Sequence, residues 1–476
     1  MQATKKIGLL LGPTLFFLIQ LLPTTLVSDK ADAVIAVAIW MVLWWVTETV
    51  NIAVTALLPL ILFPLLNVME IADVGANYGS PIIFLFFGGF VLALALEKVN
   101  LHKRIALNIV KLTGTTPNKV VLGFMIATAL MSMWISNTAS TVVMLPIAIS
   151  VIRLLIKDTG GFTKADKNFA LSIMLGIAFS ANAGGIATVI GTPPNSVLIG
   201  LLENQYNIQI SFLTWMSFGL PFSIIMVTAV YFVLVKWMFP CKDIVFVSSG
   251  NVIEEEIEKL GEISKEEKRV LIIFAVTIVL WITRTIINNI FPSLKLSDTI
   301  ISLLGAVSLF AIPMSFKKGN FILQWRDTEK LAWGILILFG GGLSLAKGMA
   351  SSGLVALITD TIAAGNFPVL LTVSLLIVLM LFMTELMSNV ALVAVLAPVV
   401  VGIAIGLNIP ILNLLIPVTM ASSCAFMLPM ATPPNAIVFA SGYVKVSQMV
   451  RAGIVLNLIA VGLLILYYQF VIPLFF

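Results

Sequence analysis

The sequence predicts an all-α polytopic membrane protein, built as two inverted repeats with about 11 transmembrane helices and two re-entrant hairpins. Three observations predict it. Hydrophobic residues make up 60% of the 476 positions and charged residues only 10%, against roughly 25% charged in soluble domains. The apolar residues gather in runs of about 20 without a barrel strand's alternation, and helices satisfy their own backbone in lipid. Finally, short polar motifs recur in the same order in both halves.

The first run, within Met1–Val27, follows Lys5 and Lys6. It is long for a signal peptide and lacks a small-residue cleavage site, so it reads as the first membrane helix. Counting 118–156 and 366–406 as hairpins leaves eleven spans: 7–27, 33–48, 51–67, 80–97, 168–203, 211–239, 270–291, 298–316, 331–348, 411–441 and 452–475. The segment 240–269 is rich in Glu and Lys and reads as a solvated cytoplasmic linker. It divides an N-terminal half, 1–239, with hairpin 118–156 and broken helix 168–203, from a C-terminal half, 270–476, with hairpin 366–406 and broken helix 411–441. Segments 100–112 and 352–364 look amphipathic, and the first, with His102, Lys103, Arg104 and Lys111, suits a helix in the interface plane. With the N-terminus in the cytoplasm and the C-terminus outside, only Lys30, Arg284, Lys295 and Lys347 of the 27 Lys and Arg fall outside, a strong positive-inside bias. Compact size and the lack of targeting segments suggest a bacterial inner (plasma) membrane.

Phe87-Gly88-Gly89 recurs as Phe339-Gly340-Gly341, and Ser136-Asn137-Thr138 as Ser388-Asn389-Val390, both 252 residues on. Gly191-Thr192-Pro193-Pro194-Asn195 recurs as Ala431-Thr432-Pro433-Pro434-Asn435, 240 residues on. Repeats with interrupted apolar segments at matching places are the best sequence pointer to a transporter's binding site. Tandem prolines remove two backbone donors and break the helical ladder. Each break frees carbonyls upstream, which suit a small cation, and opens a helix N-terminus downstream, which suits an anion. Irregular backbone at membrane depth is tolerated only where it is buried in protein or lines a cavity. The two hairpin tips and two breaks are therefore expected to frame one anion site flanked by two cation sites. None of the four carries Lys or Arg, so a bound carboxylate needs mobile cations to balance it, which points to sodium coupling.

Other classes lack support. The one histidine, His102, makes no metal site alone, and Cys241 and Cys424 are far apart. No nucleophile–base pair or acid pair suggests an enzyme, a channel would usually build its pore on an oligomer axis, and a net charge of +5 gives no nucleic-acid signal. Glu48 and Glu97 lie near span ends and read as solvated or structural, while Glu385 either tunes the second site or pairs with another polar group. Trp134 reads as a packing aromatic and the Gly pairs as close-packing points.

The paired Phe-Gly-Gly, Ser-Asn-Thr and Thr-Pro-Pro-Asn motifs resemble those of the divalent anion–sodium symporter family, and the resemblance covers essentially the whole chain. It implies a sodium/dicarboxylate cotransporter working as an elevator-type carrier and a homodimer, with Na+ as coupling ion and no organic cofactor. It further implies that Ser136, Asn137, Thr138, Ser388, Asn389 and Val390 hold the substrate carboxylates, with Pro193 and Pro433 lining the site. One sodium is implied among Ser132, Ser136, Asn137 and Gly191, and a second among Thr384, Met387, Asn389 and Ala431, with Met387 and Ala431 giving carbonyls. Val390 stands where the family pattern has threonine, removing one hydroxyl worth roughly 1 kcal/mol to a bound anion. Such a protein takes succinate, malate or fumarate into the cell with sodium; a sodium-independent di- or tricarboxylate exchanger is the alternative.

Overall fold

The computed structural model describes residues 3–21, 27–114, 116–155, 163–241, 249–315, 320–365 and 367–476. Parts of the expected spans 7–27 and 298–316, the linker, and the ends of the two hairpin runs (156 and 366) lie outside them. Apart from a short β-hairpin, Pro313–Ser315 with Asn320–Phe321, the described residues are helical or connecting.

Helix starts follow local chemistry. Ser28, Ser211 and Ser297 each accept a backbone N–H from the first turn of the helix they precede. Thr163 with Asp166, and Ser264 with Glu267, form reciprocal capping boxes. Helices Pro81–Lys98, Pro117–Ser132, Pro193–Tyr206 and Pro433–Ala440 begin on proline, whose missing N–H costs nothing there. Glu48 turns out to be a C-cap in the left-handed region, φ 46°.

Among the described residues, seven helices are long and apolar enough to cross a membrane, and the chain is a multi-pass membrane protein. Ala3–Gln20, in the first expected span, has 18 residues, and two other expected spans are divided or short. The run 51–67 divides into Ile52–Thr55 and Leu58–Leu65, and Asp298–Ala311 has 14 residues, about 21 Å against a ~30 Å hydrocarbon core. The interrupted runs break where the motifs stand. Pro117–Ser132 gives way to Asn137–Leu155, and Val369–Met383 to Asn389–Gly406. Lys164–Gly185 gives way to Pro193–Tyr206, and Ile411–Ser422 to Pro433–Ala440.

The order of elements recurs. A long helix (Pro81–Lys98 or Trp333–Ser351), an amphipathic helix (Leu101–Thr113 or Leu354–Ala364), the interrupted pair, the broken helix and a last helix ending in a π-turn follow one another in each half. Pro146 and Pro398, inside the second arms, also stand 252 apart. Gly88 lies against Ser302 and Gly341 against the Ala56 carbonyl, so a side chain at either would clash. One large apolar core links both interrupted pairs and both broken helices. A smaller one joins Asp29–Thr47 to the short helices after it and to the buried face of Trp333–Ser351.

The described part of the linker carries a helix. Its helix Ser249–Lys259 packs on Leu101–Thr113 through Lys103–Glu256 at 3.0 Å and Lys111–Glu254 at 3.1 Å. Arg104 donates to both Glu267 oxygens and to the carbonyls of Leu260, Gly261 and Glu262. His102 is buried, with Nδ1 2.9 Å from the Leu96 carbonyl, a structural contact.

Candidate functional site

The two tips carry the same constellation. In the first, the Ser132 hydroxyl ends one arm, 2.6 Å from Asn137 Oδ1 at the start of the next and 2.8 Å from the Ala181 carbonyl on the first broken helix. In the second, the Thr384 hydroxyl lies 2.6 Å from Asn389 Oδ1 and 2.7 Å from the Ser422 carbonyl at the end of Ile411–Ser422. A hydroxyl has one proton and two acceptors compete for it, so each cluster keeps oxygen lone pairs crowded together, the environment a small hard cation relieves. Ser132 and Thr384 are fully buried. Neutral side-chain oxygens with unwound-backbone carbonyls are the donor set transporters use for sodium. Among the described residues no group of three or more His, Cys, Asp or Glu is gathered for a metal.

Other expected residues surround these clusters. Gly191 and Gly185 approach so closely that a Cβ on Gly185 would lie 2.5 Å from Asn137 Oδ1 and 3.2 Å from the Gly191 carbonyl. Met387 and Ala431 are buried near the second cluster in sequence, but no hydrogen bond joins them to it. Ser136 and Thr138 are exposed; Asn137, Ser388, Asn389 and Val390 are half-buried. Ser388 caps its helix without a side-chain bond to the first turn, leaving those N–H groups unmet by it. Pro193 is half-buried and Pro433 exposed. Trp134, in the first tip, stacks on Phe212 and meets Phe274 edge-on, which fixes the tip against two other helices.

Further residues brace the site. Asn195 donates to the Thr188 carbonyl at 2.8 Å and, at 3.4 Å each, to those of Gly185 and Ile186. Asn435 donates to Ala425 and Leu428, the positions 240 residues after Gly185 and Thr188. The last residue of each Thr-Pro-Pro-Asn motif thus staples the unwound segment before it. Glu385, 3% exposed, accepts the backbone N–H groups of Phe426, Met427 and Leu428 and the Asn457 amide, at 2.8 to 3.0 Å. Four donors offset the cost of burying its charge. Its counterpart 252 residues earlier is Met133, which offers the first break no carboxylate. Asn182 reaches from the first broken helix to the second break, donating to the Ala425 carbonyl, Thr432 Oγ1 and Asn435 Oδ1. The repeated Asn of the motifs and the acidic Glu385 within an apolar run were visible in the sequence as signals; Asn182 has no repeat partner to reveal it.

The family model of the sodium:sulfate symporter transmembrane region matches residues 3–476. The chain belongs to this symporter family. Among its relatives, the sodium-dependent dicarboxylate transporter SdcS of Staphylococcus saprophyticus is 39% identical, over 98% of this chain and 91% of that one. The transporter of the same name from Staphylococcus aureus is 37% identical, over 99% and 92%. Of solved structures, the Alcanivorax borkumensis YdaH transporter gives a TM-score of 0.56 at 13% identity, covering 83% of this chain and 87% of that one. Neisseria gonorrhoeae MtrF, described as an antimetabolite efflux pump, gives 0.54 at 13% identity, covering 84% and 83%. These two likenesses concern the fold alone.

Proposed function

We propose that this chain carries C4-dicarboxylates of the succinate, malate and fumarate class into the cell by symport with sodium. The observation that carries the reading is the duplicated cluster, a buried hydroxyl set between an Asn side-chain oxygen and a broken-helix carbonyl, at Ser132 and Thr384. Ser132, Ser136, Asn137 and Gly191 hold one sodium; Thr384, Met387, Asn389 and Ala431 hold the other. Ser136, Asn137, Thr138, Ser388, Asn389 and Val390 meet the carboxylates, with Pro193 and Pro433 beside them. Exposed hydroxyls and unmet first-turn N–H groups suit an anion, and the absence of Lys and Arg from tips and breaks makes the ions its counter-charge. The relatives' names, sodium-dependent dicarboxylate transporters, support both cargo and ion over sodium-independent exchange.

In this reading the interrupted pairs 118–156 and 366–406 are re-entrant hairpins within inverted repeats. The protein works as a homodimer in the plasma membrane by an elevator motion, with the N-terminus cytoplasmic and the C-terminus outside. The recurring order of elements and the positive-inside asymmetry support that arrangement.

The test is uptake of labelled succinate into proteoliposomes. An inward sodium gradient is expected to drive accumulation above equilibrium, and Asn137→Ala or Asn389→Ala to abolish it. Equal uptake with choline or potassium replacing sodium refutes the coupling.

A further inference from the structure

The first cluster and the second break meet at one peptide. The Ala181 carbonyl belongs to the first, 2.8 Å from the Ser132 hydroxyl. The next residue, Asn182, is 1% exposed and sends its amide into the second break, 3.1 Å from the Ala425 carbonyl, 3.0 Å from Thr432 Oγ1 and 3.4 Å from Asn435 Oδ1. Asn435 staples that break to itself, and Thr432 stands beside Ala431. Among the described residues no other side chain hydrogen-bonds from one break to the other. A shift of the Ala181 carbonyl toward or away from an ion therefore moves the group that holds the second break.

The reverse bridge is missing. By the 240-residue offset that matches Gly185 to Ala425 and Thr188 to Leu428, Asn182 corresponds to Ser422, whose hydroxyl donates to the Thr419 carbonyl of its own helix at 2.7 Å instead of crossing to the first break. Asn195 Oδ1, the counterpart of the Asn435 oxygen that Asn182 meets, is buried without a protein partner. A serine hydroxyl ends one bond short of an asparagine amide, and the second bridge is not made.

We infer that Asn182 is a positioning residue that couples the two cation clusters, so that filling the first organises the second break. This rests on the sodium sites proposed above. Coupling free energies between sites commonly correspond to about 5-fold or more in affinity, and coupling of this kind makes the sodium response steeper than a single-site curve.

The experiment is a sodium titration of succinate uptake in proteoliposomes, with the melting temperature of the purified protein followed against sodium. Asn182→Ser shortens the side chain to that of its counterpart. The expected result is a Hill coefficient falling toward one and a half-saturating sodium concentration rising about 5-fold or more, while the protein stays folded without sodium. A Hill coefficient and midpoint equal to those of the unaltered protein overturn the inference. Where Asn182→Ser cannot be purified, Asn182→Leu keeps the bulk and removes the amide donor, and the same fall in the Hill coefficient is expected; an unchanged curve overturns the inference equally. If the unaltered protein neither melts higher nor transports faster with sodium, the cation sites themselves fall, an outcome distinct from loss of coupling alone.

Discussion

Gly185→Ala is the sharpest perturbation the site offers, because it adds one methyl group and no charge. The added Cβ would lie 2.5 Å from Asn137 Oδ1, where ordinary contact begins near 3.4 Å. The Asn137 side chain must therefore withdraw by about 0.9 Å. That movement stretches the 2.6 Å approach of Ser132 Oγ to Asn137 Oδ1 beyond hydrogen-bond range. Metal-site geometry tolerates only about 0.2 Å, and a misplacement of about 1 Å at a reacting or binding centre can cost ~100-fold. The half-saturating sodium concentration for succinate uptake is expected to rise about 10- to 100-fold, or about 1.4 to 2.7 kcal/mol. Overpacking adds a sodium-independent loss of about 1–3 kcal/mol of stability, seen in the melting temperature. Gly462→Ala is the control: nothing lies within 4 Å of its added Cβ in helix Val446–Leu466. There alanine is expected to leave sodium dependence alone and stabilise the helix by up to about 1 kcal/mol. A sodium midpoint in Gly185→Ala equal to that of the control refutes the idea that Asn137 is an ion ligand held in place by bare backbone.

Three other outcomes follow from contacts already described. Thr384→Val keeps shape and removes the hydroxyl between Asn389 and the Ser422 carbonyl; sodium-induced thermal stabilisation is expected to shrink, and full retention counts against the second ion site. Glu385→Gln places an amide N–H among four donors, so a loss of about 1–3 kcal/mol in stability is expected with a weaker sodium response, read by melting with and without sodium. Arg104→Ala leaves the buried Glu267 carboxylate and three linker carbonyls without their shared donor. Breaking such a pair costs about 3–5 kcal/mol, and faster limited proteolysis in the linker is the measurement; an unchanged cleavage rate shows that the clamp does not hold it.

What was legible in the sequence was what is repeated. The Ser-Asn motifs and tandem prolines announced four interruptions because each appears twice at a fixed offset, and the runs 118–156, 168–203, 366–406 and 411–441 do break where they stand. The motif Asn137 and the preceding Ser132 do meet, as do Asn389 and Thr384. The supports were hidden for a physical reason. Ala181 and Ser422 contribute carbonyls, which any residue type supplies. Gly185 matters for the space its missing side chain leaves, and Glu385, itself noticed, for partners that are backbone N–H groups some 40 residues away. Span lengths misled where the chain divides 51–67 in two, since hydropathy registers apolar content and not the turn that interrupts it.

The clamp at Arg104 has a consequence for biosynthesis. Its acceptors lie 156 to 163 residues further along the chain, and those of Lys103 and Lys111 are nearly as distant. While the ribosome is still making the intervening segments, these three cations have no acidic partner. They meet the insertion machinery as bare positive charge, which in the proposed orientation retains that segment on the cytoplasmic face. Only afterwards do Glu254, Glu256 and Glu267 arrive to neutralise them. In that proposed orientation, the finished surface has lost much of the charge that first held the segment on its side of the membrane.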